Sequence, residues 1–117
     1  MVKGLEHCLF CRIVSKELPA KVVYETDELV AFRDIHPLAS THVLVVPKKH
    51  VSSVQDLAGE DTGLVGRMVL AAKEIARVEG ISETGYRIAT NVGPDAGQAV
   101  AHLHLHLLGG RRLGKMA

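Results

Sequence analysis

From Ala101 to Gly110 the chain reads Ala-His-Leu-His-Leu-His-Leu-Leu-Gly-Gly, an alternation of period two that a helix would scatter around its axis. On an extended strand the same residues separate by face: His102, His104 and His106 on one, Leu103, Leu105 and Leu107 on the other. The leucine face belongs in a core and the histidine face outside it, so a strand beginning near Ala101 has to lie in a sheet. The remaining sequence supplies its neighbours. Lys21 to Glu25 and Leu29 to Ile35 read as a hairpin about Thr26-Asp27-Glu28, and Thr41 to Val46 as a third strand stopped by Pro47 and Lys48-Lys49-His50. Tyr86 to Asn91 alternates as a fourth, followed by a Gly/Pro/Asp loop to Gly97.

Two segments carry helical spacing instead. Leu9, Phe10, Ile13 and Val14 predict a short helix closed off before Pro19, and Leu64, Met68, Ala71, Ala72 and Ile75 mark one face of a long helix from Asp61 to Glu79. Asp61-Thr62 are its expected capping residues and Gly80 its stop. Five mostly consecutive strands with one long and one short N-terminal helix indicate an α+β domain on a five-stranded antiparallel sheet. No repeat or linker-like block divides residues 1–117, which are expected to form one domain.

Three histidines in register demand a chemical reason. A single one is most simply a polar residue on an edge strand, but an exposed strand face has no stability reason to choose His over Thr, Lys or Glu three times. Backbones of the outer two lie about 13 Å apart on a regular strand, so at most two can share one metal ion. Seven histidines but no Trp, two Phe and two Tyr leave few of the aromatic platforms that single-stranded nucleic acids stack on. A net charge of +1 argues against nucleic-acid or membrane partners. The first twenty residues hold no signal-like apolar run, and a cytoplasmic protein is expected. Cys8-x-x-Cys11 is either half of a tetrahedral zinc site or two inert thiols; no βαβ unit surrounds it to suggest a thioredoxin-type role.

The His-x-His-x-His run resembles the histidine triad of the HIT family of nucleotide hydrolases and transferases. The likeness extends through Cys8-Leu9-Phe10-Cys11, Ala31-Phe32-Arg33-Asp34-Ile35, the stretch Thr41 to His50, and Asn91 to Gln98. The ending Leu108-Gly109-Gly110-Arg111 is most similar to the Hint branch, the purine nucleoside phosphoramidases.

That resemblance implies a division of roles. His104 is the nucleophile that forms a nucleotidyl-imidazole intermediate, suited to the task because neutral imidazole abounds near pH 7. His106, Asn91 and backbone groups of Gly97-Gln98-Ala99 stabilise the phosphate in the transition state, and His42 lies near the phosphate and leaving group. Asp34 accepts hydrogen bonds from the ribose; Leu9, Phe10, Ile13, Phe32, Ile35 and Leu44 line a purine pocket. Zinc, where present, is structural and held by Cys8, Cys11, His50 and His102, with no catalytic metal; His7 and His36 are surface residues. Ala99 replaces a common family serine and thereby loses a hydroxyl donor to phosphate. Family members form homodimers across the long helix, for which the Leu64 to Ile75 stripe is a candidate face.

The expected activity is hydrolysis of the P–N bond of purine nucleoside 5′-phosphoramidates, with an AMP-type substrate. The alternatives are a dinucleoside polyphosphate hydrolase or nucleotidyl transferase, a non-catalytic zinc-stabilised nucleotide-binding module, and a metal-dependent hydrolase built on a His-x-His pair.

Overall fold

A computed structural model of the chain describes residues 7–116. Its elements are α1 (Leu9–Val14), β1 (Val22–Glu25), β2 (Leu29–Arg33), β3 (Thr41–Pro47), α2 (Thr62–Val78), β4 (Tyr86–Ala89) and β5 (Leu105–Gly109). The strands form one antiparallel sheet in the order β1-β2-β3-β5-β4. At the β1–β2 turn the Thr26 hydroxyl accepts the Glu28 and Leu29 amides, a local bond that polar turn residues make readily. β5 is an interior strand, so the histidine-bearing segment is not at a sheet edge.

Alternation along β2 and β3 sends their residues to two separate cores. Leu29, Ala31, Val43 and Val45 pack with Leu64, Met68, Ala71, Ala72 and Ile75 of α2, whereas Val30, Phe32, Leu44 and Val46 pack with Cys8 and Phe10 at α1. The sheet is therefore covered on both faces. The Leu64 to Ile75 stripe is buried against this chain's own sheet and cannot also serve a second copy, contrary to expectation. The apolar side chains that α2 leaves exposed are Val69, Leu70 and Val78. Among the described residues no helix is long and apolar enough to cross a membrane.

Boundaries differ from the sequence reading where a side chain or a missing donor intervenes. β2 ends at Arg33, because the Asp34 carboxylate accepts the His36 amide at 2.8 Å and turns the chain. Asp61 does not cap α2 through its side chain; its two oxygens take the Ala58 amide and the Lys49 ammonium instead. Gly80, at φ +77, ends the helix as expected.

The largest departure is at β5, which begins at Leu105 and not near Ala101. Val45 pairs with Leu105, so a longer ladder would set Leu103 against Pro47, which has no N–H to give. The Leu103 amide bonds the Val51 carbonyl at 2.6 Å instead. His102 and His104 thus precede the strand and are buried, at 0% and 6% exposure, so the expected solvent-facing histidine row does not exist.

Candidate active site

The backbone decides which nitrogen of each histidine carries a proton. His104 Nδ1 lies 2.7 Å from the His102 carbonyl oxygen; a carbonyl only accepts, so Nδ1 is protonated and Nε2 keeps its lone pair. The His104 carbonyl in turn accepts the Thr90 hydroxyl at 2.8 Å, which pins the residue from β4's end. His42 shows the opposite state, since its Nδ1 accepts the Leu38 amide at 3.1 Å. Neutral His42 must therefore carry its proton on Nε2, which faces His106 Nδ1 at 2.9 Å. His106 accepts there and is left with Nε2–H.

Sheet register places these rings together. His42 and Leu44 share a face of β3, and Leu44 stands opposite His106 on β5. His106 is thus a diagonal neighbour of His42, with ring centroids 5.2 Å apart, and it lies 4.9 Å from the His104 ring. Phe10 closes the group, its ring perpendicular to that of His104 with centroids 5.1 Å apart. Burial, then the His104 and His42 rings, push His106 down to about 4; burial also lowers His42 against the opposing pull of Asp34, whose Oδ2 lies 3.4 Å from His42 Nε2. Both rings are neutral at pH 7. A lone pair on one imidazole beside an N–H on the next can attack an electrophile and hydrogen-bond the charge that develops on it.

Residues 15–113 match the profile of the HIT domain. This chain belongs to the HIT family. It is 45% identical over 111 residues to the purine nucleoside phosphoramidase of Escherichia coli (strain K12), covering 95% of this chain and 93% of that one. Its fold matches that of a HIT family hydrolase from Legionella pneumophila Philadelphia 1 with a TM-score of 0.91 and 48% identity, over 92% of this chain and 96% of that chain. A HIT family hydrolase from Clostridium thermocellum gives a TM-score of 0.92 at 42% identity, over 95% and 96%.

Within this HIT chain the other expected site residues divide. Phe10, Phe32 and Leu44 are buried together with Ile13 packed on them, but Leu9 is 45% and Ile35 85% exposed. Those two lie outside that buried cluster. Ile35 is carried outward by the turn that Asp34 initiates. A groove of about 210 Å³ does open beside Ile13, on Val14, Leu18, Pro19 and Val22. Asn91 follows β4 and is half-buried. In the Gly-rich loop, the Gly97 and Gln98 amides are already bonded to the Pro94 and Gly93 carbonyls at 3.0 and 3.1 Å. Those two N–H groups close the turn, and of the three, Ala99 alone has an amide without a protein acceptor among the described residues. The Gln98 side chain is also spent, bonding Gly93, Ser52 and Val100.

Two groups have metal-like composition. The ligand atoms of Cys8, Cys11, His50 and His102 all lie within 4.8 Å of one another. His102 Nε2–H donates to the Pro47 carbonyl at 2.8 Å, leaving its Nδ1 lone pair 3.2 Å from Cys8 Sγ and 3.5 Å from Cys11 Sγ. Cys11 Sγ is 3.1 Å from His50 Nδ1. Tetrahedral zinc would separate sulfur and nitrogen ligands by about 3.6 Å, and these three sulfur–nitrogen distances lie within about half an ångström of that, so the S2N2 donor set fits the ion. Without a metal, burial and then Cys8 push the Cys11 thiol up to about 12. The Asp34, His42 and His106 ligand atoms also lie within 4.8 Å, but a cation on His42 Nε2 would require moving the proton to Nδ1 and losing the Leu38 bond. That group is built to hold a proton.

Sequence reading missed Leu38, Pro47 and Thr90. They act through a backbone amide, a backbone carbonyl and an ordinary hydroxyl, none of which has a residue signature.

Proposed function

We propose that this protein hydrolyses the P–N bond of purine nucleoside 5′-phosphoramidates through a nucleotidyl intermediate on His104. The observation that carries the reading is the complementary protonation of His104 and His106, one offering a lone pair and the other an N–H. The similarity to the E. coli enzyme supports the substrate class.

In this reading His104 Nε2 attacks the α-phosphorus and the phosphorus–nitrogen bond breaks, the departing amine taking up one proton. Water then attacks the adduct, sheds a proton, restores His104 and releases the nucleoside monophosphate; the two protons balance over the cycle. His106 Nε2–H and the Ala99 amide hydrogen-bond the phosphoryl oxygens as charge develops on them, with Asn91 beside them. The Asp34 carboxylate accepts from the ribose hydroxyls. Ile13, with the exposed Leu9 and Ile35, offers apolar surface for a purine to cover, over a floor of Phe10, Phe32 and Leu44.

Cys8, Cys11, His50 and His102 hold a structural zinc in the same reading. A closed four-ligand site supplies a cross-link between the α1 segment and the approach to β5, and no open position for chemistry. The active form is a homodimer, to be checked by its solution mass.

The test is amine release from an adenosine 5′-phosphoramidate in chelator, comparing wild type with His104→Ala and His104→Gly. Turnover that drops by about a thousandfold or more in both variants is expected for loss of a nucleophile. Wild type that binds AMP without releasing amine, yet cleaves a dinucleoside polyphosphate, would replace this reading with the polyphosphate one. Absence of both activities would leave a nucleotide-binding module.

A further inference from the structure

The turn that leaves β5, Gly109-Gly110-Arg111, has no part in the chemistry above, yet it grips the loop that sets the His42 proton. Arg111 donates from Nε and Nη2 to the Leu38 carbonyl at 3.2 and 2.7 Å, and from Nη1 to the Arg112 carbonyl at 2.9 Å. Leu38 is the residue whose amide donates to His42 Nδ1. Gly110 permits the approach: it sits at φ +95, and a Cβ there would fall 1.8 Å from Ser40 Oγ.

This loop has little else to hold it. Ile35 is 85% and Leu38 67% exposed, and His36 and Pro37 are exposed as well, so no apolar burial fixes residues 35–38. Asp34 turns the chain at one end through the His36 amide; the Arg111 fork holds it at Leu38. If the Leu38 amide drifts from His42, Nδ1 becomes free to take the proton, and Nε2 then presents a lone pair to His106 Nδ1 at 2.9 Å. His106 must respond by protonating Nδ1, which strips the N–H from its Nε2.

We propose that Arg111 is a positioning residue: by clamping Leu38 it keeps His42, and through it His106, in the Nε2–H state. The tautomer claim stands on geometry alone, and its kinetic consequence rests on the phosphoramidase reading. No proton is gained or lost overall; the proton on each ring is only confined to one nitrogen.

The experiment records histidine ring ¹⁵N spectra of the full chain at neutral pH for wild type, Arg111→Ala, Arg111→Lys and the neighbouring Arg112→Ala, alongside kinetics and melting. Wild type and Arg112→Ala should show His42 and His106 as single Nε2–H tautomers. Arg111→Ala should mix tautomers at those two rings and leave His104 as Nδ1–H, with kcat down about tenfold to a hundredfold and KM little changed. Arg111→Lys, a point donor without the fork, should fall between, and it carries the test if the alanine variant does not fold. Unchanged tautomers in both Arg111 variants would overturn the proposal, as would equal scrambling of His104, the mark of general loosening. Mixed tautomers at His42 and His106 in a protein that releases no amine would uphold the positioning role and reject the phosphoramidase reading.

Discussion

His42 Nε2 lies 2.9 Å from His106 Nδ1, and a single proton serves the two atoms. That economy makes the pair sensitive to acid. Unfolded, both rings protonate as pH falls through about 6.5, whereas folded His106 resists until about 4 and His42 is also lowered, each chiefly by burial. The unfolded chain therefore binds more protons in this window. Stability is full above about pH 6.5 and declines as pH drops toward 4. Urea unfolding across that range should show the decline, and His106→Asn should flatten part of it; a midpoint independent of pH would reject the assignment.

The Arg33 guanidinium donates to both Glu79 oxygens at 2.8 and 2.9 Å, and Thr41 adds a hydroxyl at 3.3 Å. This ties the end of α2 to β2 and β3. Arg33 remains 39% exposed, so solvent screening holds the loss in Glu79→Gln to about 1 kcal/mol. Arg33 keeps the Glu79 carboxyl below its ordinary range. The contribution is present above about pH 4.5 and lost as pH falls through the depressed folded value, so variant and wild type should converge in strong acid. A gap that persists there would mean the effect is packing.

A zinc site of two thiolates and two imidazoles predicts one ion per chain, counted by elemental analysis of protein purified without chelator. Cobalt substituted for zinc should give the absorption of a tetrahedral thiolate complex, and Cys11→Ala should abolish it. Chelation should lower the melting temperature, because the ion stabilises the folded state by mass action. Metal-free protein with unchanged melting would favour two unliganded thiols.

Ala99 supplies an amide but no hydroxyl at the loop where the proposed phosphate binds. Restoring one neutral donor is worth about 1 kcal/mol, so Ala99→Ser should tighten AMP binding by about fivefold in calorimetry. Unchanged affinity would place the phosphate elsewhere.

Much of the architecture was legible because it is local. α1 falls on Leu9–Val14 as its spacing predicts, and α2 differs by one residue at each end. The Leu103 and Leu107 side chains are core, as their alternation with histidine required. The failures also have local-versus-distant causes. β5 begins at Leu105 and not near Ala101 because Pro47, which would face Leu103, has no N–H to give, and the α2 stripe was unavailable to a partner because the sheet already covers it.

Residue type and spacing by themselves determined which segments are strands or helices, that Leu103 and Leu107 turn to the core while the histidines between them do not share that face, and that Cys8 and Cys11 sit one helical turn apart. Only the tertiary structure decided what each histidine does. His102 is turned to Pro47 from 55 residues away and His42 meets His106 across 64. Periodicity is a property of neighbouring side chains and can be read along the chain. The position of a proton on an imidazole depends on which backbone amide or carbonyl arrives beside it, and those groups are the same in every residue until the fold brings one of them near.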